Sequence, residues 1–169
     1  MEYINQLRGA RSKQTGQAFE NIISDACRYY SAVGTAEIYK TPEPFRVERH
    51  VNGGKFIGHY EKTAQPDFKG VLRGGRAVLF EAKYTDSDRI KQDAVTEAQT
   101  EAFQRHAKLG ARCFVLVSFG FRQYYRIPWD VWERMRQLFG HRFMTTEDAA
   151  QYEIHTRNGI LHFLDFMIE

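Results

Sequence analysis

Asp67, Glu81 and Lys83 are the residues of this chain whose types and spacing can do chemistry. Glu81 and Lys83 stand one residue apart at the end of the apolar run Ala77-Val78-Leu79-Phe80. Asp67 follows Pro66, upstream of a Gly74-Gly75 turn signal. In an extended chain residues i and i+2 face the same way, so Glu81 and Lys83 project together while Ala82 turns to the other side. The glycine pair lies roughly midway between Asp67 and Glu81, and a hairpin turning there sets the two carboxylates beside each other. Carboxylates that close repel, and one keeps its proton unless a cation lies between them. Oxygen ligands with open positions suit Mg2+ or Mn2+, and such an ion polarises a phosphodiester oxygen and acidifies bound water. Lys83 adds positive charge without competing as a strong ligand, to orient that water or offset charge building on phosphorus. The trio is sufficient for metal-assisted phosphodiester hydrolysis. A bare Glu-x-Lys is ordinarily a strand-end ion pair. Here the Pro66-Asp67 step, the apolar strand and the surrounding cations raise it above that reading.

The cations fall in three clusters. Arg8, Arg11 and Lys13 open the chain, Arg46, Arg49, His50, Lys55, His59 and Lys62 precede Asp67, and Lys69, Arg73 and Arg76 follow it. The net charge is only +3, so their distribution around one carboxylate pair, more than their sum, points to DNA or RNA. The 169 residues, 43% hydrophobic and 27% charged, fit a single domain, residues 1–169, with one protruding element. No apolar run approaches the ~20 residues of a membrane span. The opening segment lacks an apolar signal core, which argues against secretion and for the cytoplasm. Cys27 and Cys113 belong to no CxxC or Cys/His cluster and fit reduced core thiols. The six histidines show no ligand spacing.

These residues need elements to position them. Phe19, Ile22, Ile23, Ala26, Cys27 and Tyr30 fall on one face of a helix over residues 15–30, stopped near Gly34. Residues 36–40 read as a short strand, and Pro42 and Pro44 force an extended exit. Residues 45–63 alternate on either side of Asn52-Gly53-Gly54, too polar on both faces to bury much. That pattern predicts a two-stranded basic ribbon projecting from the body. Residues from Asp67 to Tyr84 predict an antiparallel pair whose second strand is central and covered on both faces. A helix over 94–109 ends at Gly110. Residues 112–119 and 122–128 give two more strands, and Pro128 opens a helix running to Phe139. Residues 145–151 predict a short capped helix, and 152–169 a final Asn-Gly hairpin or partly helical end. Tyr124, Tyr125, Trp129 and Trp132 read as core or dimer packing rather than base-stacking platforms. The sum is an α/β (α+β) domain with a mixed central sheet flanked by helices.

The pattern PD…ExK is that of the nuclease superfamily named for it, and the wider chain is more specific. From about Gly16 to the C-terminus it resembles the RecU-type Holliday junction resolvases of bacteria and their phages. "PDFKGVLRGGRAVLFEAK" is similar to that family's "DYxGxxxGRxIxFEAK" core with one extra glycine at the turn. "EAQTEAFQRHAKLGARCFVLVSF" is similar to its "HQxxHMxxxxxxGGIxFxIIxF", and "YKTPEPF" to its proline-containing entry to a stalk. The resemblance implies a restriction-endonuclease-like fold with a projecting β-hairpin stalk. It implies a homodimer that binds four-way junction DNA and cuts two opposed strands using Mg2+. It implies that Asp67 and Glu81 are metal ligands, that Gln99 also approaches the metal, that Lys83 stabilises the transition state and that Glu20 is a supporting acid. Gln65 stands where the family often has a threonine ligand, and could supply an amide oxygen. Ala98 stands where it has histidine, and "QTG" at residues 14–16 where it has "NRG", whose arginine Arg8 or Arg11 could replace.

Three functions remain in view at this stage. The first is a structure-selective endonuclease on branched DNA in recombination and repair. The second is a restriction-type duplex endonuclease using the same trio, and the third a non-catalytic DNA-binding protein with a decayed site. The small size, the lack of a separate recognition domain and the basic ribbon favour the first, and the intact trio opposes the third.

Overall fold

The computed structural model describes residues 2–60 and 65–167, with side chains from residue 11 onward. The chain runs α1 (Glu2–Ala32), β1 (Ala36–Lys40), β2 (Phe45–Val51), β3 (Lys55–Tyr60), β4 (Phe68–Leu72), β5 (Ala77–Thr85) and β6 (Arg89–Lys91). A 3-10 turn at Gln92–Ala94 leads to α2 (Glu97–Lys108), β7 (Arg112–Phe119), β8 (Gln123–Pro128), α3 (Trp129–Glu133), α4 (Met135–Phe139), β9 (Phe143–Thr145) and α5 (Thr146–Ala149). Another 3-10 turn, Ala150–Tyr152, precedes β10 (Glu153–Ile154), β11 (Thr156–Arg157) and β12 (Ile160–Leu161). Among the described residues no helix is long and apolar enough to cross a membrane.

Six strands form one sheet in the order β1-β4-β5-β7-β8-β10. β5 and β7 are parallel and the other neighbours antiparallel, so the sheet is mixed, as the order of elements in the sequence predicts. Alternation along β5 assigns its side chains to two cores. Val78 and Phe80 pack with Phe19, Ile23 and Tyr30 of α1, while Leu79 packs with Phe103 of α2 and Trp129 and Trp132 of α3. Phe68, Phe80 and Phe114 stack across three adjacent strands at 5.0 and 4.7 Å between ring centroids. This ladder of rings fixes the register of β4, β5 and β7, since a one-residue slip would turn every ring to the wrong face.

Several elements differ from the sequence expectation. α1 begins at Glu2 rather than near residue 15. Among the residues whose side chains are described, the first buried position of α1 is Phe19. Extending an existing helix needs one hydrogen bond per residue, whereas starting one is costly. The helix expected from Pro128 to Phe139 is two short helices broken at Arg134 (φ −99°, ψ 17°). The Gln92 amide donates to the Trp132 and Glu133 carbonyls at 2.8 and 2.9 Å, meeting acceptors that a continuous helix would bond itself. The small β6–β9 sheet was not anticipated, because strands of three residues carry too little alternation to detect. At the C-terminal end β10 joins the main sheet, and only β11 and β12 form the Asn158-Gly159 hairpin.

β2 and β3 pair with each other, outside the main sheet. The register shifts between Val47 and Arg49, a β-bulge. Up to that point Phe45, Val47 and Tyr60 share one face and Arg46 and His59 the other. The extra residue switches the phase of β2, so Arg49 joins Arg46 on the face that also carries Lys55. Phe45 meets Phe56 and Tyr60 at 5.6 and 5.1 Å on the opposite face. Gly58 is required there, because a Cβ would collide with the Arg46 carbonyl and the Phe45 ring. The strands therefore gather Phe45, Phe56 and Tyr60 with His50 on one face and Arg46, Arg49 and Lys55 with Val51 and Ile57 on the other, where the sequence alone showed polar alternation on both sides.

Candidate active site

The β4–β5 hairpin turns through Gly74 and Gly75, whose φ values of 90° and 88° disfavour a side chain. Its register pairs Val71 with Ala77 and Phe68 with Phe80. One step further sets Asp67 opposite Glu81. The Asp67 N–H donates to Glu81 Oε2 at 3.2 Å, and the Ala82 N–H donates to Asp67 Oδ2 at 3.0 Å. Lys83 Nζ, two residues along on the same face, donates to Glu81 Oε1 at 2.7 Å. Glu81 is only 1% exposed, which separates it from a solvated strand-end ion pair.

Gln99 comes from α2, which crosses the same face. Its Nε2 donates to Glu81 Oε1 at 2.7 Å. Its Oε1 is turned away from the carboxylates and accepts from the Thr96 N–H at 3.0 Å and the Thr96 hydroxyl at 3.1 Å. The resemblance implied Gln99 as a metal-approaching ligand. Here its amide oxygen is committed to the helix cap and its amide nitrogen to Glu81. Thr96 was not among the sequence candidates, although Thr96-x-x-Gln99 is a capping-box signature legible in the sequence.

Burial and the neighbouring Glu81 carboxylate raise the Asp67 carboxyl to about 7, against the opposing pull of the Ala82 N–H and Lys83. With the two carboxyls this close, their mutual repulsion demands a proton on one of them. A divalent cation meets the same demand. Glu81 Oε1 has both lone pairs engaged by Lys83 and Gln99, leaving Oε2 and the Asp67 carboxylate as the available oxygens. Mg2+ is commonly held by one or two carboxylates, the rest of its shell being water and substrate phosphate. The donor set fits that ion. Among the described residues no group of three His, Cys, Asp or Glu side chains gathers as a closed metal cage.

The remaining candidates are placed as follows. Glu20 pairs with Lys40, whose β1 position faces Phe68 across the strands, on the α1 side of the sheet. None of its hydrogen bonds or ion pairs goes to Asp67, Glu81 or Lys83. Gln65 Oε1 accepts from Lys69 Nζ at 3.2 Å, so both stand just before and after Asp67 and bond each other. Arg73 donates to the Gly34 carbonyl at 2.9 Å and Arg76 to the Gly110 carbonyl at 2.9 Å. Both lie at the turn end of β4–β5, Arg76 five residues from Glu81 and Arg73 six from Asp67, roughly 17 to 20 Å of strand. There they tie the hairpin turn to neighbouring loops. Arg46, Arg49 and Lys55 lie on the ribbon, and Arg11 and Lys13 are exposed on α1. Lys62 lies outside the described residues, and of Arg8 only its helical backbone is described.

Residues 14–169 match the family described as RecU, Recombination protein U. No curated protein matches the chain. Among solved structures, the chain is similar to Archaeoglobus fulgidus Hjc, a Holliday junction resolvase from an archaeal hyperthermophile. The TM-score is 0.48 at 13% identity, over 80% of this chain and 93% of that one.

Proposed function

The chain belongs to the Recombination protein U family, and from that premise we propose that it is a divalent-metal-dependent endonuclease that resolves four-way DNA junctions. It acts in the cytoplasm as a homodimer, each subunit a single nuclease domain carrying residues 45–63 as a stalk. Asp67 and Glu81 hold Mg2+, with Mn2+ an alternative. When bound, the ion polarises the scissile phosphate and supplies an acidified water. The protein's own groups do the rest. Lys83, fixed by its bond to Glu81, holds positive charge where negative charge grows on phosphorus. Burial of Glu81 beneath α2 keeps bulk water from screening that charge. Gln65 bonds Lys69 just ahead of Asp67, while Glu20 pairs with Lys40 on the α1 side of the sheet.

The observation that carries this reading is the buried Glu81 set opposite Asp67, with the Lys83 ammonium at 2.7 Å. Two carboxyl groups forced together in this way reduce stability, a cost usual at catalytic and metal sites. The stalk supports branched DNA as the substrate. Its basic face, carrying Arg46, Arg49 and Lys55, suits phosphates at the open centre of a junction, where shape rather than base sequence is recognised. The test is cleavage of a synthetic four-way junction and of plain duplex, with and without Mg2+. Metal-dependent, symmetric cutting of the junction is expected, and Glu81→Ala should lower the rate by at least about 100-fold. Equal cutting of duplex would favour the restriction-type reading. Junction binding without cutting would leave a DNA-binding protein.

A further inference from the structure

Glu81 is the carboxylate on which the site turns, and its orientation depends on a side chain in another element. Gln99 Nε2 donates to it at 2.7 Å. That amide is itself held from behind. Gln99 Oε1 accepts from both the backbone N–H and the hydroxyl of Thr96, at 3.0 and 3.1 Å, while the Gln99 N–H donates to Thr96 Oγ1 at 3.3 Å. The two ends of the amide therefore face opposite requirements. The Thr96 N–H can only donate, and an ionised carboxylate can only accept. Rotating the amide by half a turn would set NH2 against N–H and oxygen against carboxylate, so a single orientation satisfies the network.

We propose that Thr96 is a positioning residue of the active site, acting through Gln99. The N-terminal cap of α2 locks the Gln99 amide, and the amide fixes Glu81 so that Oε1 serves Lys83 and Oε2 remains for the metal. The chain from Thr96 to Glu81 does two tasks with one side chain, closing the first turn of α2 and aiming a ligand. Partners one step removed from a metal ligand typically change metal affinity or activity by about 10- to 100-fold, and Thr96 is two steps removed. Gln99 is on this account a donor to the ligand rather than a ligand. The inference rests on the metallonuclease reading of the site, but one of its observables does not.

The test uses the full chain and the variants Thr96→Ala, Thr96→Ser and Gln99→Glu. Serine keeps the hydroxyl. Glutamate at position 99 keeps the cap but cannot donate to Glu81. The first measurement needs neither metal nor DNA: the Gln99 side-chain amide protons, followed by NMR. They should show slowed exchange and hindered rotation in the wild type and in Thr96→Ser, and lose both in Thr96→Ala. The second is Mn2+ affinity without DNA. It should fall about 3- to 10-fold in Thr96→Ala, recover to within about 2-fold in Thr96→Ser, and fall about 10-fold or more in Gln99→Glu. The third is single-turnover junction cleavage at saturating Mg2+, expected to follow the same order with the junction Kd unchanged. A Thr96→Ala protein that melts at a lower temperature yet keeps an ordered Gln99 amide and wild-type Mn2+ affinity would overturn the proposal, since the cap would then serve α2 alone. If the wild type binds Mn2+ but cuts no junction, the functional reading fails and the metal affinities still decide the relay. If it binds no Mn2+, the metal reading fails, and a Gln99 amide equally ordered with and without the Thr96 hydroxyl overturns the relay on its own.

Discussion

Asp67 is the residue whose ionisation reports on the site. Its carboxyl is raised to about 7 from an ordinary value near 3.8. In acid below both values the carboxyl is protonated whether the chain is folded or not. As pH rises between them, the unfolded chain loses this proton and the folded chain keeps it, so stability falls with rising pH across that window and levels off above about 7. Each unit of displacement corresponds to about 1.4 kcal/mol. In metal-free protein, Asp67→Asn should remove this contribution, which is visible as a flatter dependence of Tm on pH between about 4 and 7. Bound Mg2+ should restore stability most strongly above pH 7, where no proton has to leave. The same variant should bind four-way DNA without cutting it. Unaltered cleavage would take Asp67 out of the mechanism.

The ribbon is the element whose two faces carry different chemistry. Its bulge gathers Arg49 with Arg46 and Lys55, and its other face exposes Phe56 and Tyr60 at 53% and 65%. Isolated hairpins of this length are marginal in water, which fits an element completed by DNA or by a second copy. If the basic face contacts phosphates, Arg49→Ala with Lys55→Ala should weaken junction binding and flatten the slope of log K against log salt by about 2. The metal affinity of the active site should not change. A preserved salt slope would assign the DNA path to another surface. α2 is the second element with two tasks, since its N-terminal cap and its hold on Glu81 share Gln99.

On the scale of the whole molecule, the six-stranded sheet presents one carboxylate pair midway along β5, and a four-way junction has two strands to cut. A two-fold dimer matches that symmetry with one site per strand. Heterodimers of wild type with Asp67→Asn should therefore nick one strand of a cruciform without making the second, opposed cut. Linearised product at the wild-type rate would mean that a single site makes both cuts.

The site was legible because chemistry and periodicity coincide in one stretch. Asp67, the glycine turn, the apolar strand and Glu81-x-Lys83 are local, and a strand's two-residue repeat suffices to place Glu81 and Lys83 on one face. The mixed sheet also followed from the order of apolar segments. Other features depend on contacts between distant segments, to which a local pattern is blind. The break at Arg134 depends on Gln92 some forty residues away. The sorting of the ribbon into basic and aromatic faces depends on one unpaired residue in its register. The bonds by which Arg73 and Arg76 tie the turn to Gly34 and Gly110 depend on which carbonyls lie nearby. The sequence by itself determined which groups would meet at β5, because strand geometry is short-range. Only the tertiary structure decided how they are aimed. The orientation of Glu81 is settled by a helix that arrives eighteen residues later and by the cap that holds its glutamine.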